Sequence, residues 1–137
     1  MELLELTLHN LSSDVPLAHQ ALDQFSTQNS LPIPDLAKLH VAIEEILTNI
    51  ISYGYDPGHS GTIRIRFALE SSALRVEVED DARPFNPMNA PEADISLPLD
   101  QKPIGGLGVH LIRNNVDSLS YRRAGKRNVL VLIKRLP

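Results

Sequence analysis

The sequence predicts an α/β two-layer sandwich in which helices cover one face of a mixed, mostly antiparallel sheet. Strand-like alternation occurs near both ends of the chain and again in its middle, and helical periodicity fills two long segments between the first strands. The length of 137 residues is close to that of one ordinary domain. We therefore expect residues 1–137 to form a single domain with one hydrophobic core.

The first strand and the first helix are predicted within the first 30 residues. Leu4, Leu6 and Leu8 alternate with polar residues, which is typical of a half-buried strand. Ser13 and Asp14 then precede a proline, as at many helix starts. The apolar residues that follow at helical spacing are Leu17, Ala21, Leu22 and Phe25. This helix is expected to end in the segment TQNSLPIP, which is rich in helix-breaking residues.

A second, longer helix is predicted from Pro34 to the glycine at position 54. Its apolar stripe consists of Leu36, Leu39, Ile43, Ile46, Leu47 and Ile50. Two alternating segments, 63–69 and 74–78, follow as strands. The short connection ESSA predicts that these two strands pair in an antiparallel hairpin.

A long loop is predicted at about residues 82–104. It contains five of the ten prolines and has no hydrophobic periodicity, and loops of this length are usually functional lids or disordered segments. A short helix over residues 105–115 follows, opened by glycines. Two last strands, 119–123 and 128–135, are joined by the turn AGKR.

Composition excludes several classes of protein. The chain has no cysteine, so it can hold neither a disulfide nor a thiolate zinc site. A net charge of -4 argues against direct nucleic-acid binding, which needs a basic surface. The first residues do not resemble a signal peptide, and no apolar run reaches the roughly 18 residues that span a membrane. We therefore expect a cytoplasmic protein without a membrane partner.

Glu45 and Asn49 lie four residues apart on the second helix, outside its apolar stripe. Side chains at this spacing point the same way from adjacent turns. A carboxylate and an amide oxygen so placed can polarise a hydroxyl group and bind Mg²⁺, which prefers oxygen ligands. Both residues can equally be ordinary solvated surface positions, because this spacing is common.

Asp80 ends the third predicted strand. Counting by twos from Val76 and Val78 puts its side chain on the inward, apolar face, where an acid needs a partner. It can accept a hydrogen bond from an exocyclic amine such as that of adenine, or it can cap a local turn. The residues alone leave these two roles open.

The segment PIGGLGVHLI has three glycines where a loop enters a helix. Backbone N–H groups at such a helix start can bind phosphate, and the segment can also be a simple hinge. It is not a P-loop, because no Gly-Lys-Ser/Thr sequence follows. However, this segment follows the Glu45 and Asn49 pair and then Asp80 along the chain. This is the order that one nucleotide pocket requires.

These motifs resemble those of the GHKL ATPase superfamily, which has the histidine kinase-like ATPase fold. EEILTNIISYGY is similar to its N box, VEDDARPFNP to its first glycine box, and GGLGVHLIRNNVDSLSY to its second glycine box with the following strand. The resemblance runs over nearly the whole chain. It implies that Glu45 is the catalytic base, that Asn49 binds Mg²⁺ and ATP, and that Asp80 recognises adenine. It also implies nucleotide contacts by Ala82, Gly105, Gly106, Leu107, Gly108 and Val109.

Within the superfamily, the TN pair of EEILTN and the PFNP segment are most similar to the small anti-sigma factor serine/threonine kinases. This resemblance implies phosphorylation of a STAS-domain anti-anti-sigma protein, binding of a sigma factor, and homodimerisation. Ala82 departs from the family glycine, so a bound nucleotide would meet an additional methyl group. Asn128 lies near a position where relatives have threonine, and we assign it no role.

Two other functions fit the same residues. The chain can be a non-catalytic, nucleotide-gated binding module that sequesters a sigma factor or another regulatory partner, and Ala82 favours this alternative. It can also be a structural α/β domain whose motifs are coincidental. Transfer of phosphate from ATP to a partner distinguishes the kinase from a pure binder, and ATP-dependent thermal stabilisation distinguishes both from a structural domain.

Overall fold

The computed structural model describes residues 2–86 and 106–137. Its elements are β1 Glu2–His9, a 3-10 turn Ser12–Asp14, α1 Val15–Asn29, α2 Ile33–Tyr53, β2 Thr62–Glu70, β3 Ala73–Asp80, α3 Gly106–Asn115, β4 Ser118–Ala124 and β5 Arg127–Arg135. The predicted order of strands and helices is confirmed. Most of the predicted loop at 82–104, and Gly105 after it, lie outside the described residues.

The five strands form one sheet in the order β1-β2-β3-β5-β4. Every pair of neighbouring strands is antiparallel, including β1 with β2 and β3 with β5. The two-layer α/β arrangement is as predicted, but the prediction of a mixed sheet was wrong for these strands. One helix between two strands reverses the chain direction twice, so the second strand runs parallel to the first. Here two helices, α1 and α2, lie between the strands and add one more reversal, so β2 runs antiparallel to β1.

The core lies between the inward face of the sheet and the helices. Alternate residues of β2 and β3 are fully buried there, among them Ile63, Phe67 and Val76. The stripe of α2 covers them, and Leu39, Ile43 and Leu47 are equally buried. The apolar residues at every second position of the strands lie on one face of the sheet, and those spaced by three or four lie on one side of the helix. These two apolar surfaces pack together as one core.

The helix ends differ in detail from the predictions. Asp14 immediately precedes α1, but its carboxylate does not cap the helix; Oδ2 accepts a hydrogen bond from the backbone N–H of His9 at 2.9 Å. α2 ends before Gly54, whose φ of -84° is open to any residue. Close approach is what requires glycine there: an added Cβ would lie 2.6 Å from the carbonyl oxygen of Ile50 and 2.7 Å from the methyl carbon of Ala82.

Candidate functional site

A small cavity lies where α2, the end of β3, α3 and the last two strands meet. Three of the predicted site residues line it, namely Asn49, Asp80 and Ala82. Its apolar lining includes Ile46 of α2 and Ile112 of α3. The fold therefore brings the helix motif and the strand-end acid, which are separated in sequence, to one place.

Asp80 is almost completely buried, with 3% of its surface exposed. Its Oδ1 atom accepts hydrogen bonds from the backbone N–H of Ala82 and from Nδ2 of Asn128, both at 2.9 Å. Among the described residues, both bonds fall on this one oxygen. The turn-capping role is therefore present, and it leaves Oδ2 as the acceptor for a ligand.

The charge of Asp80 is only partly compensated. Burial raises the pKa of this carboxyl above its ordinary value, while the hydrogen bonds from Asn128 and Ala82 act in the opposite direction. Arg123 lowers the pKa as a nearby positive charge, but this is the weakest of these influences. An inward acid with neutral donors is the environment expected for a group that recognises a polar ligand.

Asn128 holds the site together, a role that the sequence analysis did not assign. Its Nδ2 donates to Asp80 Oδ1 at 2.9 Å and to the carbonyl oxygen of Arg83 at 2.8 Å. Its Oδ1 accepts from the hydroxyl of Tyr121 at 2.6 Å and from Nη1 of Arg123 at 3.1 Å. Asn128 can be identified from its position opposite Asp80 on the neighbouring strands β3 and β5. That identification requires knowledge of the strand register.

Ala82 is buried against the end of α2. A methyl group built on Gly54 would lie 2.7 Å from the methyl carbon of Ala82, so the two positions fit only because one of them is glycine. The next residue also contacts the helix end, since the backbone N–H of Arg83 donates to the carbonyl oxygen of Gly54 at 3.1 Å. The methyl group expected to meet the nucleotide thus packs on Gly54, although Ala82 also borders the cavity.

Asp81 contacts the loop after α2 instead of the cavity. Its Oδ1 accepts from the hydroxyl of Tyr55 at 2.7 Å and from the backbone N–H of Thr62 at 3.1 Å. Burial, followed by this hydrogen bond, raises the pKa of Tyr55 well above its ordinary value, so the tyrosine remains a neutral donor. The two adjacent acids therefore make separate contacts: Asp80 lines the cavity, and Asp81 binds the segment between α2 and β2.

The two helix residues differ in their position relative to the cavity. Asn49 is buried and lines it, and Nδ2 of its amide has no hydrogen-bond partner in the part of the chain described. Glu45, one turn earlier on α2, is half-buried and is not among the lining residues. A buried amide without a partner is uncommon and is available to a ligand.

The glycine segment is described only in part. Gly106, Leu107, Gly108 and Val109 form the first turn of α3, and Gly105 lies outside the described residues. Ile112 of the same helix lines the cavity. Ile112 lies about one turn beyond the glycine-containing first turn of α3.

Within residues 2–86 and 106–137, no group of three or more histidine or acidic side chains is arranged to hold a metal ion. The oxygen of the Asn49 side-chain amide is of the type that Mg²⁺ accepts, and Mg²⁺ commonly takes its other ligands from water and phosphate. The residues present therefore fit a magnesium ion that arrives with a nucleotide and contacts the protein at few points.

Comparison with known proteins agrees with this fold. The sequence profile of the histidine kinase-like ATPase domain matches residues 8–134. The chain is 29% identical over 94 residues to the serine/threonine-protein kinase BtrW of Bordetella bronchiseptica, covering 69% of this chain. It is 31% identical over 101 residues to the serine-protein kinase RsbW of Bacillus thuringiensis, covering 71% of this chain.

These alignments span 66% of the Bordetella kinase and 62% of the Bacillus kinase, so about a third of each relative is unmatched. A crystal structure of RsbU and RsbW domains from Mycobacterium tuberculosis superposes with a TM-score of 0.72, at 18% identity. The match covers 99% of this chain and 33% of that chain. At this identity the superposition establishes the fold alone.

Proposed function

Because the chain belongs to the histidine kinase-like ATPase domain family, we propose that it is an ATP-dependent serine/threonine protein kinase that acts as an anti-sigma regulatory factor. Its proposed phospho-acceptor is a STAS-domain anti-anti-sigma protein, and its other proposed partners are a sigma factor and a second copy of the chain. The kinase names of two relatives support this reaction class. We propose a cytoplasmic location; none of the described helices has the length and apolar character needed to cross a bilayer.

The observation that carries the proposal is the meeting of Asn49 and Asp80 in one cavity. Nδ2 of the Asn49 amide has no partner among the described residues. Asp80 is a buried acid whose hydrogen bonds, in the same part of the chain, all fall on Oδ1. Oδ2 is then the acceptor for the exocyclic amine of adenine. The side-chain oxygen of Asn49 is the proposed ligand for Mg²⁺.

ATP binding requires lining side chains to move. The cavity has a volume of about 30 Å³, enough for one or two water molecules and too small for a purine. Arg83 and Phe85 line it and are both exposed, so they are the side chains that can move with the least loss of packing. We expect them to move aside when the base enters beside Asp80.

The remaining roles follow from the family resemblance. When bound, ATP would supply the γ-phosphoryl group and leave as ADP, and Mg²⁺ would neutralise negative charge on the phosphates. The backbone N–H groups from Gly105 to Val109 hold the phosphates at the start of α3. The carboxylate of Glu45 takes the proton of the incoming serine or threonine hydroxyl. Most of the rate enhancement in such a site comes from positioning and electrostatics.

The test is transfer of radiolabel from ATP to a STAS-domain protein by the wild type and by Glu45→Gln. The substitution removes the base and keeps the shape, so we expect label transfer to be lost while ATP binding, measured by calorimetry, changes by less than about threefold. Glu70→Gln is the matched control, because Glu70 is an exposed acid that pairs with Ala73, at the far end of the β2–β3 pair from Asp80. It should transfer label at the wild-type rate.

Normal transfer by Glu45→Gln would exclude Glu45 as the base. The second candidate function is a nucleotide-gated binding module, and it is favoured by one observation: Glu45 is not among the residues that line the cavity. Such a module predicts ATP-dependent association with its partner and no transfer of label by the wild type. Absence of both ATP binding and ATP-dependent thermal stabilisation would contradict both candidates.

A further inference from the structure

Two histidines join α1 to α2 away from the cavity. Nδ1 of His19 lies 2.7 Å from Nδ1 of His40. Nε2 of His19 lies 2.8 Å from a carboxylate oxygen of Glu44, and Nε2 of His40 lies 2.7 Å from a carboxylate oxygen of Asp23. The four side chains form a continuous chain of hydrogen bonds, two from each helix, and each ring is about one-quarter exposed.

The distances between these nitrogen and oxygen atoms indicate the protonation state of the two histidine rings. An ionised carboxylate only accepts, so Nε2 of His19 and Nε2 of His40 must both carry hydrogen. The two Nδ1 atoms then face each other at hydrogen-bond distance, which requires one proton between them. Two protons would place two N–H groups against each other, and no proton would oppose two lone pairs.

A metal ion does not fit between the rings at this separation. Zinc lies about 2.0–2.1 Å from each nitrogen ligand, so two nitrogens in a tetrahedral site would be more than about 3 Å apart. The residues described contain no cluster of three or more histidine or acidic side chains suited to a metal. The 2.7 Å separation is that of a hydrogen bond.

Among the described residues, two acids make the direct side-chain contacts of the pair besides the contact between the rings. Asp23 of α1 and Glu44 of α2 are the charged partners of the rings. The strands that contact α1 contribute apolar side chains, Leu8 and Ile63, to the core that α1 shares. α3, which also packs on α2, carries His110 and Arg113, and His110 is hydrogen-bonded to Asn114 of its own helix.

We propose that His19 and His40 share one proton and form a pH-sensitive clamp between α1 and α2. The clamp is closed when the pair holds one proton and is weakened when a second proton is added or the shared proton is lost. It acts next to Glu45, because Glu44 precedes that residue on α2. The clamp depends only on the contacts of these four side chains and not on the proposed kinase function.

The test is a double-mutant cycle of His19→Gln and His40→Gln. Urea unfolding of the wild type, both single variants and the double variant is measured from about pH 5 to about pH 9. We expect a coupling of roughly fivefold in the folded-to-unfolded ratio where the pair holds one proton, with less coupling at both ends of the range. His9→Gln is the control, since His9 is exposed and its ring has no partner among the described residues.

Additive effects at every pH, or a coupling that does not vary with pH, would overturn the clamp. If the variants do not fold, the imidazole nitrogens of the wild type can be followed by NMR. One Nδ1-bound proton for the two rings near neutral pH supports the proposal, and rings that titrate independently contradict it. Stoichiometric zinc binding that shifts both Nδ1 resonances would also overturn it, since a metal would then occupy the place of the proton.

Discussion

Strand β3 carries acidic side chains on both faces of the sheet, and the partners of these acids differ between the two faces. Glu77 on the outward face is surrounded by cations, with carboxylate-to-guanidinium distances of 3.4 Å to Arg66, 3.7 Å to Arg75 and 3.7 Å to Arg122. Glu79 on the same face pairs with two further arginines, Arg64 and Arg127. Asp80 on the inward face is held by neutral donors from Asn128 and Ala82.

The difference separates acids that are neutralised by cations of the same sheet from an acid that we propose recognises a ligand. The outward carboxylates are neutralised by arginines whose side chains are one-third to two-thirds exposed, an arrangement that needs no ligand. A buried carboxylate without a close cation is costly and persists only where hydrogen bonds hold it. Within the described part of the chain, Oδ2 of Asp80 receives no hydrogen bond, and we propose that a ligand with a donor group is its partner.

The largest effect is expected for Asp80→Asn. The amide keeps Oδ1 for Asn128 and Ala82 but replaces Oδ2 with a donor, which opposes the amine of adenine. ATP affinity measured by calorimetry should fall about 1000-fold, or roughly 4 kcal/mol, while stability is unchanged or higher. Glu79→Gln, one residue earlier on the outward face, should bind ATP like the wild type. Equal ATP affinity for wild type and Asp80→Asn would remove Asp80 from the proposed adenine site.

Asn128→Ala tests whether the neutral donors hold the inward acid. The substitution removes the amide between Asp80 and Arg83. It also leaves the hydroxyl of Tyr121 without its acceptor and leaves Arg123 with only the carbonyl oxygen of Ala82. We expect the free energy of unfolding to fall by about 3 kcal/mol, because buried polar groups lose their partners. Urea denaturation measures this, and Val131→Ala, a half-buried position on the same strand, is the control. A loss no larger than that of the control would mean that Asp80 does not need Asn128.

Glu77→Gln tests the outward acid, where a smaller effect is expected. Its arginine partners remain solvated after the charge is removed, so the loss of stability should be about 1 kcal/mol. Glu77 itself is buried, but its arginine partners are accessible to ions, so this loss should shrink at high salt. Chemical denaturation at low and high salt gives the comparison with Asn128→Ala, whose loss should be insensitive to salt. A loss that does not change with salt would contradict an ion-pair cluster with solvated cations.

The smallest effect concerns pH. Because burial raises the pKa of Asp80, the folded protein holds this proton to a higher pH than the unfolded chain does. Stability from this group is therefore present at acidic pH and is lost as pH rises through the folded pKa. The stability of the wild type relative to Asp80→Asn should decline from about pH 4 towards neutral pH in denaturation experiments. A rise over the same range would show that Asp80 is stabilised as the charged form.

Local patterns were sufficient for much of the site. The alternation of β3 predicted that Asp80 faces inward. The spacing on α2 predicted one shared direction for Glu45 and Asn49, but only Asn49 lines the cavity. Asn128 received no role, because its importance comes from pairing with Asp80 across two strands that are distant in sequence. The predicted contacts of the glycine segment with phosphate remain predictions, since Gly105 lies outside the described residues.

The sequence by itself determined the order of elements and the inward side of each strand and helix. These properties are local, because strand and helix periods involve residues only two to four positions apart. The tertiary structure decided that every strand pair is antiparallel, that Gly54 makes room for Ala82, and that His19 meets His40. Each of these depends on segments brought together only by packing, so no local period in the sequence encodes it.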